Sequence, residues 1–132
     1  MVAAEPRLSI LIPVLGDFAA MEQGLVSVLA NRPDRCEVIL VFNRPYADPY
    51  DLQDEAIFVQ AARGAGLVEC LNEGLRYCRA SIVHLLACGA EVPVDWTEAA
   101  LVHFDNPRIG AVAISHLHPD HIDGLYDVAA GL

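Results

Sequence analysis

The sequence contains no lysine. Eight arginines stand against eighteen acidic residues, and the formal charge is −10. That balance disfavours electrostatic docking on nucleic acid or anionic lipid, where clustered cations supply the attraction. It leaves a nucleotide ligand open, because one arginine or one helix terminus holds a phosphate. No apolar run reaches the roughly 18 residues of a membrane span, and the stretch 8–15 is interrupted by Pro13. Only Arg7 precedes that stretch, with Glu5 beside it, so no secretory signal is expected and the expected setting is cytoplasmic. There is no Cys-x-x-Cys pair among Cys36, Cys70, Cys78 and Cys88. They are expected as small core residues rather than as disulfides or zinc ligands. Linkers, repeats and low-complexity segments are absent too, which leaves one domain over 1–132.

What is present alternates. Leu8-Ser9-Ile10-Leu11-Ile12-Pro13-Val14 is a short apolar run suited to a strand buried on both faces. Gly16-Asp17 turns the chain, with Asp17 placed to cap a helix carrying Phe18, Met21, Leu25, Val28 and Leu29. Strands are expected over 37–42, 56–59, 82–86 and 109–114, and helices over 67–79 and from Pro93 to Asn106. The tail 116–132 is expected as a terminal hairpin or loop. Strand–helix alternation with short connections predicts an α/β fold, a three-layer α/β/α Rossmann-like sandwich with a mostly parallel sheet. Ligands of such sheets sit at the carboxyl ends of the strands.

Several stretches together resemble family 2 glycosyltransferases, which share a nucleotide-diphospho-sugar transferase (GT-A type) fold. The run Leu8–Val14 is similar to that family's opening strand, and 37–42 to its second. Gly66, Asn72 and Gly74 fall in register with its Asn-x-Gly segment. The stretch from Ile82 to Trp96 is similar to the strand leading to its metal-binding Asp-x-Asp, and Asn106-Pro107-Arg108-Ile109-Gly110-Ala111-Val112 to a later strand. The resemblance implies a nucleoside-diphosphate sugar as ligand, with Mn2+ or Mg2+ as its cofactor. It implies that Pro13, Val14, Asn43 and Arg44 line the base, and Gly66, Asn72 and Glu91 the ribose and diphosphate.

The departures fall on the chemistry. The acidic residue expected after the second strand is replaced by Asn43-Arg44-Pro45, and the Asp-x-Asp position by Ala87-Cys88-Gly89. Paired carboxylates hold the cation that offsets the leaving group's charge, and Glu91 is the acid near that corner. No residue is assigned as general base, and the acceptor-binding half is not matched. The expected function is a glycosyltransferase-like domain whose catalytic status stays open. The alternative is a non-catalytic domain binding a nucleotide or a partner, as a homo-oligomer or with a partner supplying the missing half.

The tail offers a competing chemistry. Ser115-His116-Leu117-His118-Pro119-Asp120-His121 matches the His-x-His-x-Asp-His signature of metallo-β-lactamase-like hydrolases, in which His116, His118, Asp120 and His121 would hold metal. Such enzymes draw further ligands from a long downstream sequence, and eleven residues follow His121 here. A polar surface loop is the expected reading. His84 is expected as a hydrogen-bonded histidine within a strand, and Cys88 as a buried thiol rather than a nucleophile.

Overall fold

The computed structural model describes residues 5–110 and 112. The chain divides into two compact units, Met1–Val94 and Asp95–Leu132. The first holds four parallel strands in the order β3-β2-β1-β4. They are β1 Leu8–Val14, β2 Cys36–Phe42, β3 Ile57–Gln60 and β4 Ile82–Leu85, with helices α1 Phe18–Ala30 and α2 Leu67–Leu75 between them. All seven residues of β1 are buried, as a central strand requires.

The two helices lie on opposite faces of the sheet. Phe18 of α1 meets the ring of Phe42, whereas a side chain at Gly74 of α2 would collide with Leu11 and Val41. Phe42 and Val41 point to opposite faces because strand side chains alternate. Carrying the chain from β3 across to β4 lays α2 over β1 and β2, where Cys70, Leu11, Ile39, Val41 and Val59 form one apolar cluster. The α/β/α sandwich expected from the sequence is therefore present in this unit.

Several boundaries differ from expectation, each for a local reason. Helix α2 ends at Leu75 instead of running to Arg79. The N–H groups of Arg76, Tyr77 and Cys78 turn back three residues, and that of Arg79 leaves the helix to meet the Glu37 carboxylate at 2.7 Å. Strand β3 starts at Ile57 because Ala56 still donates to the Leu52 carbonyl in a 3-10 turn, Leu52–Asp54. In the second unit, the helix expected from Pro93 is confined to α3, Glu98–Leu101, continuing as a 3-10 turn, Val102–Asp105. Asp95, at φ +57°, places the chain in left-handed backbone just before it. Ile109 donates back to Asn106 in a turn, and Ile109, Gly110 and Val112 are not in a strand; the rest of the expected strand 109–114 lies outside the described residues. So do the expected hairpin 116–132 and its residues His116, His118, Asp120 and His121.

Candidate functional site

The order β3-β2-β1-β4 reverses its direction of growth between β1 and β4, and the crevice at that point is where open parallel sheets take ligands. Here the crevice has a specific cause. β1 pairs with β4 only through Leu8–Leu11, while its pairing with β2 continues to Val14 opposite Phe42. The last bond across the gap runs from the Leu86 N–H to the Leu11 carbonyl, at 3.0 Å. Alternation then aims the backbone of residue 13 at the same gap, and proline has no N–H to leave unpaired there. Pro13 is thus the residue that lets β1 outlast β4.

Past Leu86 the chain does not wander. Ala87 to Val92 is laid along one stripe of α1 made by Ala20, Gln23, Gly24, Ser27 and Asn31, residues three and four apart. A side chain at Gly24 would stand 2.9 Å from the Ala90 oxygen, and one at Gly89 would stand 3.3 Å from the Ala20 Cβ. Gly89 has φ +86°, a conformation open to glycine. Ser27 Oγ accepts from the Val92 N–H at 2.9 Å, and Asn31 Nδ2 donates to the Val92 carbonyl at 2.9 Å. Gln23 Nε2 donates to Glu91 Oε1 at 2.9 Å.

That stapling defines what this corner offers. Asp17 caps α1 by accepting from the Ala20 N–H at 3.0 Å. Cys88 is half-buried; burial pushes its thiol up from the ordinary value, and the nearby Asp17 charge adds to the effect, which disfavours the thiolate that a nucleophile or metal ligand needs. Among the described residues no three of His, Cys, Asp or Glu are grouped to hold a metal ion. The donor set at Ala87-Cys88-Gly89 is one thiol, and Glu91 is engaged by Gln23. These residues do not fit a divalent cation held by paired carboxylates.

The other candidate residues spread across the carboxyl ends of the sheet. Pro13 and Val14 are buried at the end of β1. Asn43 is a brace: its N–H donates to the Val14 carbonyl, its Nδ2 to the Ala65 carbonyl at 3.0 Å, and its own carbonyl accepts from Gly64. It ties β1, β2 and the turn Arg63-Gly64-Ala65-Gly66 into one rim. Gly66 is the exposed N-cap of α2 in extended backbone, its carbonyl accepting from the Cys70 N–H. Asn72 lies on the exposed side of α2, about 9 Å along the helix from that cap. The structure therefore brings Pro13, Val14, Asn43 and Gly66 to one rim and leaves Asn72 down the helix. Glu91 belongs to the stapled segment on α1.

Arg44 is exposed and sets its guanidinium 4.4 Å over the Phe18 ring. Beside it lies a group that sequence reasoning missed. Phe18, Phe42, Tyr46 and Phe58 come from α1, β2, the loop after β2, and β3. Tyr46 stacks on Phe42 with centroids 5.0 Å apart and planes 5° from parallel. It also meets Phe18 edge-on at 4.9 Å and Phe58 at 5.9 Å, and its hydroxyl donates to Glu22 Oε2 at 2.6 Å. Burial raises the Tyr46 hydroxyl far above its ordinary value, and the Glu22 carboxylate raises it further. These residues stand 4 to 40 positions apart in sequence, so only the folded sheet assembles them.

No protein-family profile and no curated protein sequence matches the chain. Among solved structures, it is similar to the mannosyltransferase PcManGT from Pyrobaculum calidifontis, determined in complex with GDP-Man and Mn2+, with a TM-score of 0.71 at 24% identity. The similarity covers 85% of this chain and 36% of that one. The chain thus spans about a third of that neighbour's length, and what the two share is the α/β fold of a nucleotide-diphospho-sugar transferase.

Proposed function

We propose that this chain is a glycosyltransferase-like domain that binds a nucleoside-diphosphate sugar at the carboxyl ends of β1, β2 and β4, without assembling the metal-dependent transfer machinery itself. The observation that carries this reading is that β1 outlasts β4 at the point where the strand order reverses, in a sheet whose fold is similar to that of a transferase determined with GDP-Man. The base would lie over the ends of β1 and β2, at Pro13 and where Val14 pairs with Phe42, against the rim braced by Asn43. Arg44 supplies a cation at that end for a phosphate, and Gly66 lets a ligand approach the start of α2 closely. Asp17 and Glu91, both acidic, face the same end of the sheet, so the diphosphate is favoured on the Arg44 side. In this reading Asn72 contributes from the exposed face of α2 through the sugar or a second chain.

Transfer needs a leaving diphosphate neutralised and an acceptor hydroxyl deprotonated. The corner at Ala87-Cys88-Gly89 provides neither function, and no described residue is placed as the base. The domain is therefore proposed as donor-binding, with catalysis dependent on residues outside those described or on a partner chain. Mn2+ and Mg2+ enter this proposal only as companions of the nucleotide, not as ions held by this corner. Titration calorimetry with GDP, UDP and their sugars tests the reading. Micromolar binding of one nucleotide class supports it, and heat no larger than dilution for every one of them overturns it.

A further inference from the structure

The aromatic group after β2 places a loop ring against the end of the sheet. Phe42, the last residue of β2, is stacked by Tyr46 in the offset parallel arrangement that a planar base also adopts on an aromatic ring. The covering residue sits in a loop braced by hydrogen bonds of its own. Asp48 accepts the Leu52 N–H on its carboxylate at 2.8 Å and the Asp51 N–H on its carbonyl at 3.1 Å. Asp48 and Asp51 both lie at φ +55°, a left-handed conformation that aspartate tolerates at a cost. The roots of this loop are fixed separately, at Asn43 through Val14 and at Glu55 through the Arg32 guanidinium at 2.9 Å. Between those roots, Tyr46 seats the loop on the body through its ring and one hydrogen bond to Glu22, and Arg44 adds its guanidinium over the Phe18 ring.

We propose that Tyr46 is a built-in plug: in the ligand-free protein its ring occupies a base-sized seat against Phe42, latched by Glu22, and a nucleotide base takes that seat by displacing it. The inference rests on the donor-binding reading above and adds how that site is controlled. A loop swinging about Asn43 and Glu55 removes one ring and one hydrogen bond from the seat, lifts Arg44 off the Phe18 ring, and leaves the Phe42 face and the Phe58 wall in place. Binding by the wild-type protein then includes the work of unseating Tyr46, and removing the plug removes that work.

The test is calorimetry of GDP and UDP on the full chain as wild type, Tyr46→Ala and Tyr46→Phe, with thermal melts to show that each is folded. Tyr46→Ala is expected to bind about tenfold more tightly than wild type, a difference of about 1.4 kcal/mol. Tyr46→Phe keeps the ring and loses the latch, and is expected to gain a smaller factor, which also serves if the alanine variant does not fold. Binding by Tyr46→Ala where wild type shows none supports the plug outright. Wild-type binding with no gain in either variant, or with a loss, overturns the plug and leaves the donor site standing. No binding by any of the three overturns both.

Discussion

Glu37 shows how much one side chain holds in this domain. It is buried at the start of β2, and three donors converge on it: Ser9 Oγ at 2.6 Å, the Arg79 N–H at 2.7 Å and Arg79 Nε at 3.1 Å. Ser9 in turn accepts the Ala80 N–H, so β1, β2 and the entry to β4 are clasped at the amino end of the sheet, opposite the candidate site. Burial works to raise the Glu37 carboxyl, but the Arg79 N–H, the Ser9 hydroxyl and the Arg79 guanidinium outweigh it and hold the value below its ordinary 4.5. A lowered folded-state value means the stabilisation is fully present above the ordinary range and is lost as pH falls through the lowered value. Glu37→Ala is expected to cost about 2–3 kcal/mol in urea unfolding at neutral pH. The gap between it and wild type should shrink as pH drops below 4.5. A gap independent of pH would mean that the side chain acts through packing alone. At this scale the sequence was partly legible: Asp17 announced itself as a cap by its place after Gly16, and caps α1. Asn43, expected as a ligand residue, also gives its Nδ2 to the Ala65 carbonyl, a bond across 22 positions that leaves no local pattern.

Elements reveal a different limit. Strand and helix kinds followed from periodicity, and β1, α1, β2 and α2 begin within a residue of expectation. The end of α2 did not, since the pattern Leu67, Leu71, Leu75, Cys78 continues helically while a distant carboxylate takes the Arg79 N–H. The stripe of α1 under residues 87–92 was equally hidden, because Ala20, Gly24 and Ser27 look unremarkable as a sequence. Its consequence is testable. Gly→Ala inside an exposed helix stabilises by up to about 1 kcal/mol. At Gly24 the added carbon meets backbone at 2.9 Å on both Ala90 and Gly89, so Gly24→Ala is expected to lower stability by about 1–3 kcal/mol. A raised melting temperature would show that residues 87–92 are not held against α1. Ser27→Ala leaves the Val92 N–H without its acceptor and is expected to cost about 1 kcal/mol, read in the same melts.

For the whole molecule, the mostly parallel sheet was readable from strand–helix alternation, whereas its order β3-β2-β1-β4 and how far β4 accompanies β1 are set by long-range pairing that no single stretch encodes. No described helix is long and apolar enough to cross a membrane. The central proposal is that this α/β sheet offers a donor seat, and that the stapled Ala87-Cys88-Gly89 turn beside it takes no part in holding a metal. Calorimetry of GDP- and UDP-sugars on the intact chain, run once with chelator and once with Mn2+, tests that claim directly. The account predicts binding of one nucleotide class in chelator, with the affinity unchanged when Mn2+ is supplied. Binding that appears only with Mn2+, or none under either condition, would contradict it.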